Sequence, residues 1–325
     1  MGEPTEIQQT GAERPGAAHG GGSATGPATS GRMPDGATRV AQSRSAALRR
    51  HIRDQRRSPA RPRIWFELAL IGISYWVYSL VRNAVPEQEA IAQRHASLIW
   101  DFEQSFGVAI ERSVNHAVDK LSWLIVGMNY YYATLHFIVT IGVLVWLYRR
   151  HPGRYVAART VLFVTTGIAL VGFYFFPLAP PRLMTDGGFI DTLKVHNTWG
   201  SMASGPATHV SNQYAAMPSM HIGWSLWCGL AIFFLARATW VRVLGLLYPV
   251  ATLVVIVSTA NHFWMDAVGG IVCLSVGFVA ARLTYHVWVY RLPRIPARET
   301  ARETAEEPIT VPEQWSAPGV SAGRR

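Results

Sequence analysis

Residues 243–270 read VLGLLYPVATLVVIVSTANHFWMDAVGG. The first part, 243–260, carries no charged side chain, and a helix needs about 20 apolar residues to cross a bilayer. The run then gives way to His262 and Asp266 before a further apolar stretch begins. On a helix these two share a face, because positions i and i+4 stack. Ionisable groups inside a membrane segment are costly and are kept mainly for function.

Five more blocks of this kind flank the stretch, at 64–81, 121–148, 156–176, 220–236 and 263–289. Six apolar blocks in a chain of 325 residues, half of them apolar, exclude an ordinary soluble core. They predict an all-α integral membrane protein, a six-helix bundle. Between the first two spans, Ile91, Leu98, Phe102 and Phe106 recur at near-helical spacing. That pattern predicts an amphipathic surface helix, broken near Gly107, serving as a lid over the bundle or as a substrate gate. Residues 1–55 and 293–325 are polar and contain Gly and Pro, which predicts disordered tails around a membrane catalytic domain at 56–292. The first 63 residues lack the short apolar stretch and cleavage site of a secretory signal, so the first span is expected to be an uncleaved anchor.

The formal net charge is +10, with 30 Lys and Arg. Of these 30, 23 lie in residues 1–63, in the loop after the second block, at Arg237 and Arg242, or from Arg291 onward. Basic residues next to spanning helices favour the cytoplasm. The split predicts a multi-pass protein of the cell membrane with both tails cytoplasmic and 82–120, 177–219 and 260–263 outside. The excess charge then reflects topology and attraction to anionic lipid, and no nucleic-acid partner is expected. Cys228 and Cys273 lie inside apolar blocks and read as packing residues. Zinc-type Cys/His spacing is absent, and the reading invokes neither metal nor cofactor.

Three further stretches add chemistry. Residues 215–224 read AAMPSMHIGW. Ser219 suits an N-cap, and the backbone N–H groups of a helix start attract anions. Met220 and His221 fall in that first turn. Residues 176–183 read FPLAPPRL; Arg182, led in by two prolines, is suited to phosphate oxygens. Residues 127–137 read GMNYYYATLHF. Asn129, Tyr132 and His136 share a face there, either meeting the catalytic cluster or hydrogen-bonding between helices. Asn261, next to His262, completes the phosphate- or substrate-binding candidates, and Lys194, His196 and His209 are possible additional clamps. Gly223, Gly229, Gly269, Gly270 and Gly277 read as close-packing positions that draw the two catalytic helices together. The set suits phosphoryl chemistry in which His262 attacks phosphorus, Asp266 orients it and His221 exchanges protons with the alcohols.

At these residues the chain resembles the type-2 phosphatidic acid phosphatase superfamily. Pro218-Ser219-Met220-His221 matches its Pro-Ser-Gly-His block with Met220 in place of Gly, and His262 and Asp266 match its His-x3-Asp. The resemblance implies a six-helix membrane core and a lipid phosphate or phospholipid substrate. It also implies nucleophile His262, orienting Asp266 and acid/base His221, working through a phosphohistidine. Ile256 stands where the phosphatases carry Arg, and Pro180-Pro181-Arg182 stands near the place of their Lys-x6-Arg-Pro block. Both departures are similar to the inositolphosphotransferase branch, the inositol phosphorylceramide synthase-like enzymes. Water as acceptor makes a phosphatase, and an alcohol such as inositol makes a transferase. Competing readings are a non-catalytic lipid-phosphate transporter or flippase, a haem protein with axial histidines, and a metal site built from His221, His262 and Asp266.

Overall fold

The computed structural model describes residues 62–84, 89–198 and 213–296. All fall in the second of two units, Met1–Leu48 and Arg49–Arg325. The expectations for the tail 1–55, for His209, and for residues after Pro296 lie outside the described residues.

Every apolar block forms helix. In chain order the helices are α1 Ile64–Ala84, α2 Glu89–Ser105, α3 Glu111–Asp119, α4 Ser122–Arg150, α5 Pro152–Phe175, α6 Met220–Leu235, α7 Thr239–Ser258 and α8 Trp264–Tyr285. Among the described residues there is no strand, only a lone bridge between Leu178 and Ala215. Four helices, α4, α5, α7 and α8, are long and apolar enough to cross a membrane. The apolar stretch of α1, Ile64–Val77, and the 16-residue α6 are shorter. α8 stops at Tyr285, before the end of its apolar block, because His286 takes a left-handed conformation (φ 59°) as C-cap.

α6 lies at the centre, packed against α4, α7 and α8, while α5 packs along α8. Trp227 and Cys228 of α6 are buried with Leu147, Tyr155, Val161 and Leu274. The outward faces are apolar: Phe175, Leu244, Val250, Ile271 and Leu283 are all exposed. So broad an apolar exterior fits lipid rather than water. α1 is fastened to α5 by buried Glu67, which accepts from Arg159 and from the Tyr155 hydroxyl.

α2 and α3 are separated at Gly107, whose φ of +67° glycine adopts without steric cost. The apolar spacing in α2 marks its outer face, since Leu98, Phe102 and Phe106 are exposed. Its inner face is Ala92, Ala96, Trp100 and Glu103, and the first three pack on Leu178, Ala179, Ala216 and Phe263. The small alanines let α2 lie close over the loops that carry the candidate site.

Candidate active site

α7 and α8 are joined by a tight turn at Thr259–Phe263, with Ala260 at φ 50°. The turn lets the backbone N–H groups of Asn261 and His262 bond back to Ile256 O. His262 therefore sits just before α8 and Asp266 within its first turn. Asp266 Oδ2 accepts from His262 Nδ1 at 3.1 Å and from Phe263 N at 3.1 Å. Both side chains are buried, and among the described residues His262 Nε2 has no hydrogen-bond partner. One ring nitrogen is thus held by a carboxylate and the other is left with its lone pair available, the arrangement of an oriented nucleophile or base.

α6 brings the second imidazole. Ser219 occupies the N-cap position, and its backbone N–H donates to Asp266 O at 2.9 Å, so the starts of α6 and α8 are stitched together. The Ser219 hydroxyl does not cap the helix: it is buried and unbonded. His221 in the first turn lies with its ring centroid 5.5 Å from that of His262. Met220 follows Ser219 at the α6 start and touches the position where Gly223 would carry a side chain.

α4 supplies the floor. It widens into a π-turn at Tyr131–Leu135, a feature that often marks functional sites. The wide turn sets Tyr132 and His136 side by side against His221: Tyr132 stacks on the imidazole at 4.1 Å and His136 meets it edge-on at 4.2 Å. His136 Nδ1 bonds to Tyr132 O. His136 therefore joins the candidate cluster of His221 and His262. Asn129, one turn earlier, has a different task. It bonds Thr198 Oγ1 at 2.7 Å and Thr192 O, and accepts from the Thr192 hydroxyl, fastening the loop after α5.

Arg182 reaches the same end of the bundle from a short 3-10 turn, Pro181–Leu183. Its backbone N–H donates to Ala260 O, and its Nε donates to Asn261 Oδ1 at 2.9 Å. Nη1 lies 3.5 Å from Asp191 Oδ2. Arg182 and Asn261 thus form one unit beside His262, with Asp191 as a resident counter-charge. Of the loop groups considered as extra clamps, His196 is engaged by Asp119 at 2.8 Å, and Lys194 is 80% exposed and lies 3.8 Å from Asp191.

Three buried polar residues of the α2–α3 segment escaped the sequence reading. Glu103 Oε1 accepts from Met265 N and Glu111 Oε1 from Trp264 N, so two remote carboxyl groups cap α8 immediately beside Asp266. Their helix start would otherwise leave these N–H groups unpaired. Burial, then the hydrogen bond to Glu111 and the charge of Glu111, push Glu103 up to about 9. Asn115 bonds Ser258 O and Ile190 on both its amide atoms. The signal was weak because these residues occupy polar positions of an amphipathic pattern, where solvated side chains are the usual occupants.

Of the residues read from sequence, the structure brings together His262, Asp266, His221, Ser219, Met220, Asn261, Arg182, Tyr132 and His136, and it places Asn129 in the loop anchor. The glycines divide similarly. Gly223, Gly269 and Gly270 lie between α8 and the start of α6, whereas Gly277 faces α5 and Gly229 faces α7. The PAP2 superfamily model matches residues 97–280. No curated protein and no solved structure matches the chain.

Proposed function

This chain belongs to the PAP2 superfamily, whose members act on phosphoric esters as phosphatases or phosphotransferases, and we propose that it is a lipid-phosphate phosphatase or phosphotransferase working through a phosphohistidine at the outer leaflet. The observation that carries this reading is His262, held at Nδ1 by Asp266, unbonded at Nε2, and facing a second imidazole 5.5 Å away.

In the first step His262 Nε2 attacks phosphorus, the P–N bond forms and the P–O bond to the lipid alcohol breaks. The departing oxygen takes a proton from His221. Asp266 stabilises the positive charge that develops on the His262 ring. In the second step His221 accepts the proton of the incoming alcohol or water, whose oxygen bonds phosphorus as the P–N bond breaks. Arg182, Asn261 and the amides at the start of α6, with Ser219 and Met220, bind the phosphate oxygens and spread their charge. Tyr132 and His136 hold His221 in place from below. Water as acceptor makes the chain a phosphatase, and an alcohol makes it a transferase of the inositolphosphotransferase kind. Pro180-Pro181-Arg182 and Ile256 are the residues that favour the transferase branch. Basic residues gathered in the tails and in the loops at the far end support six spans with both tails cytoplasmic.

The test is turnover of purified protein on lipid phosphates and phospholipid donors, with and without inositol. His262→Ala should reduce turnover to background, and Asp266→Asn should reduce it by about 10²–10⁴-fold. Wild-type turnover in His262→Ala would exclude the mechanism. Saturable lipid binding without turnover in the native protein would support a transporter or flippase instead.

A further inference from the structure

The end of the bundle away from His262 carries a second polar site that the reaction does not use. A cavity of about 830 Å³ lies there among α4, α6 and α7, within the size range of ligand pockets. α6, with His221 in its first turn, runs 16 residues from Met220 toward it, roughly 24 Å at 1.5 Å per residue. Arg150, His151, Arg154, Arg237 and Arg294 line it, and no carboxylate does. Among the described residues none of these four guanidinium groups is ion-paired with Asp or Glu.

Two of the groups, Arg154 and Arg294, are held in place by neutral partners. Arg154 Nε donates to Leu292 O at 2.6 Å, and Arg294 Nε donates to Arg150 O at 2.8 Å. Arg154 Nη1 lies 3.3 Å from His151 Nδ1. His151 is buried. Burial, and then the charges of Arg154, Arg294 and Arg237, push its imidazole down to about 4. With four guanidinium groups and no carboxylate among its lining residues, the cavity is positively charged. Helices α5 and α7 begin at this space while α4 and α6 end there, so their dipole ends offset one another and the field is that of the arginines. Trp146, Ile232 and Val241 form an apolar wall below the charges.

We propose that this cavity binds the phosphate of an anionic phospholipid headgroup, its acyl chains lying along the apolar wall. Four uncompensated guanidinium groups in one cavity repel each other, and a bound phosphate removes that repulsion while satisfying their donors. Basic pockets between spanning helices bind lipid headgroups in this way. Free phosphate offers the same charge but makes no use of the wall. The site is separate from the catalytic cluster and stands whether or not the proposed reaction does.

The test uses the full chain in nanodiscs of phosphatidylcholine, with and without phosphatidylglycerol, reading the melting temperature and the lipid retained in native mass spectra. Phosphatidylglycerol should raise the melting temperature. Arg237→Gln should weaken its apparent affinity by about five-fold, as should Arg154→Gln, with a larger loss for the pair. Arg237 is exposed, so its variant tests the site even if the Arg154 variant folds poorly. The response should persist in Asp266→Asn, which alters only the catalytic end. Four results would each overturn the proposal: no preference for phosphatidylglycerol, an unchanged response in Arg237→Gln, loss of the response in Asp266→Asn, or equal stabilisation by inorganic phosphate in phosphatidylcholine alone.

Discussion

Asp266 Oδ2 receives hydrogen bonds from both the His262 ring and Phe263 N, so one carboxylate fixes the imidazole and the start of α8 together. Glu111 and Glu103 cap the next two N–H groups. Crowding carboxyl groups at one helix end opposes their ionisation, and burial together with Glu111 raises Glu103 in particular. The sign of the pH effect follows. Glu103 ordinarily titrates near 4.5 and in the fold near 9. Its contribution to stability is fully present below 4.5 and is lost as pH rises through 9. Thermal unfolding should therefore shift downward across that interval in the native protein, and Glu103→Gln should flatten the decline. An unaltered slope in Glu103→Gln, followed by melting temperature against pH, would exclude Glu103 as the titrating group. The His262–Asp266 pair was legible from its i, i+4 spacing. The two glutamates were not, because they lie far away in sequence and reach α8 only through the packing of α2 and α3.

Elements set how closely these side chains approach. Gly270 lies where α8 passes the first turn of α6, and a methyl group there would overlap Ser219 O. Gly270→Ala should cost about 1–3 kcal/mol of stability by overpacking and lower turnover by parting His262 from His221. Gly167 has open space around it, and Gly167→Ala should leave the melting temperature unchanged or slightly raised. Melting curves and turnover of the two variants separate site geometry from a general glycine effect. The π-turn of α4 is a second device at this scale. Sequence spacing put Asn129, Tyr132 and His136 on one helical face, but the wide turn gives Tyr132 and His136 to His221 while Asn129 holds Thr192 and Thr198. A π-turn depends on which backbone bonds the neighbouring helices stabilise, and ordinary helical periodicity carries no record of it.

At the scale of the molecule, the two ends of the bundle differ in charge. Arg150, Arg154, Arg237 and Arg294 gather at one end, and His221, His262 and Arg182 at the other. The proposed orientation predicts that a cysteine replacing exposed Lys194 reacts with a membrane-impermeant maleimide from outside intact cells. A cysteine appended to either terminus should react only after permeabilisation. Cys228 and Cys273 are buried and should add little background. Labelling of Lys194→Cys only after permeabilisation would invert the topology. The apolar helices, the membrane setting and the His262–Asp266 and Pro218–His221 motifs were legible in the sequence alone, because apolar run length and i, i+4 geometry are local properties. Only the tertiary structure decided that α6 and α8 meet at Ser219 and Asp266, that two glutamates cap α8, and that four arginines share one cavity. Those juxtapositions depend on contacts between residues far apart in the chain, which no local pattern encodes.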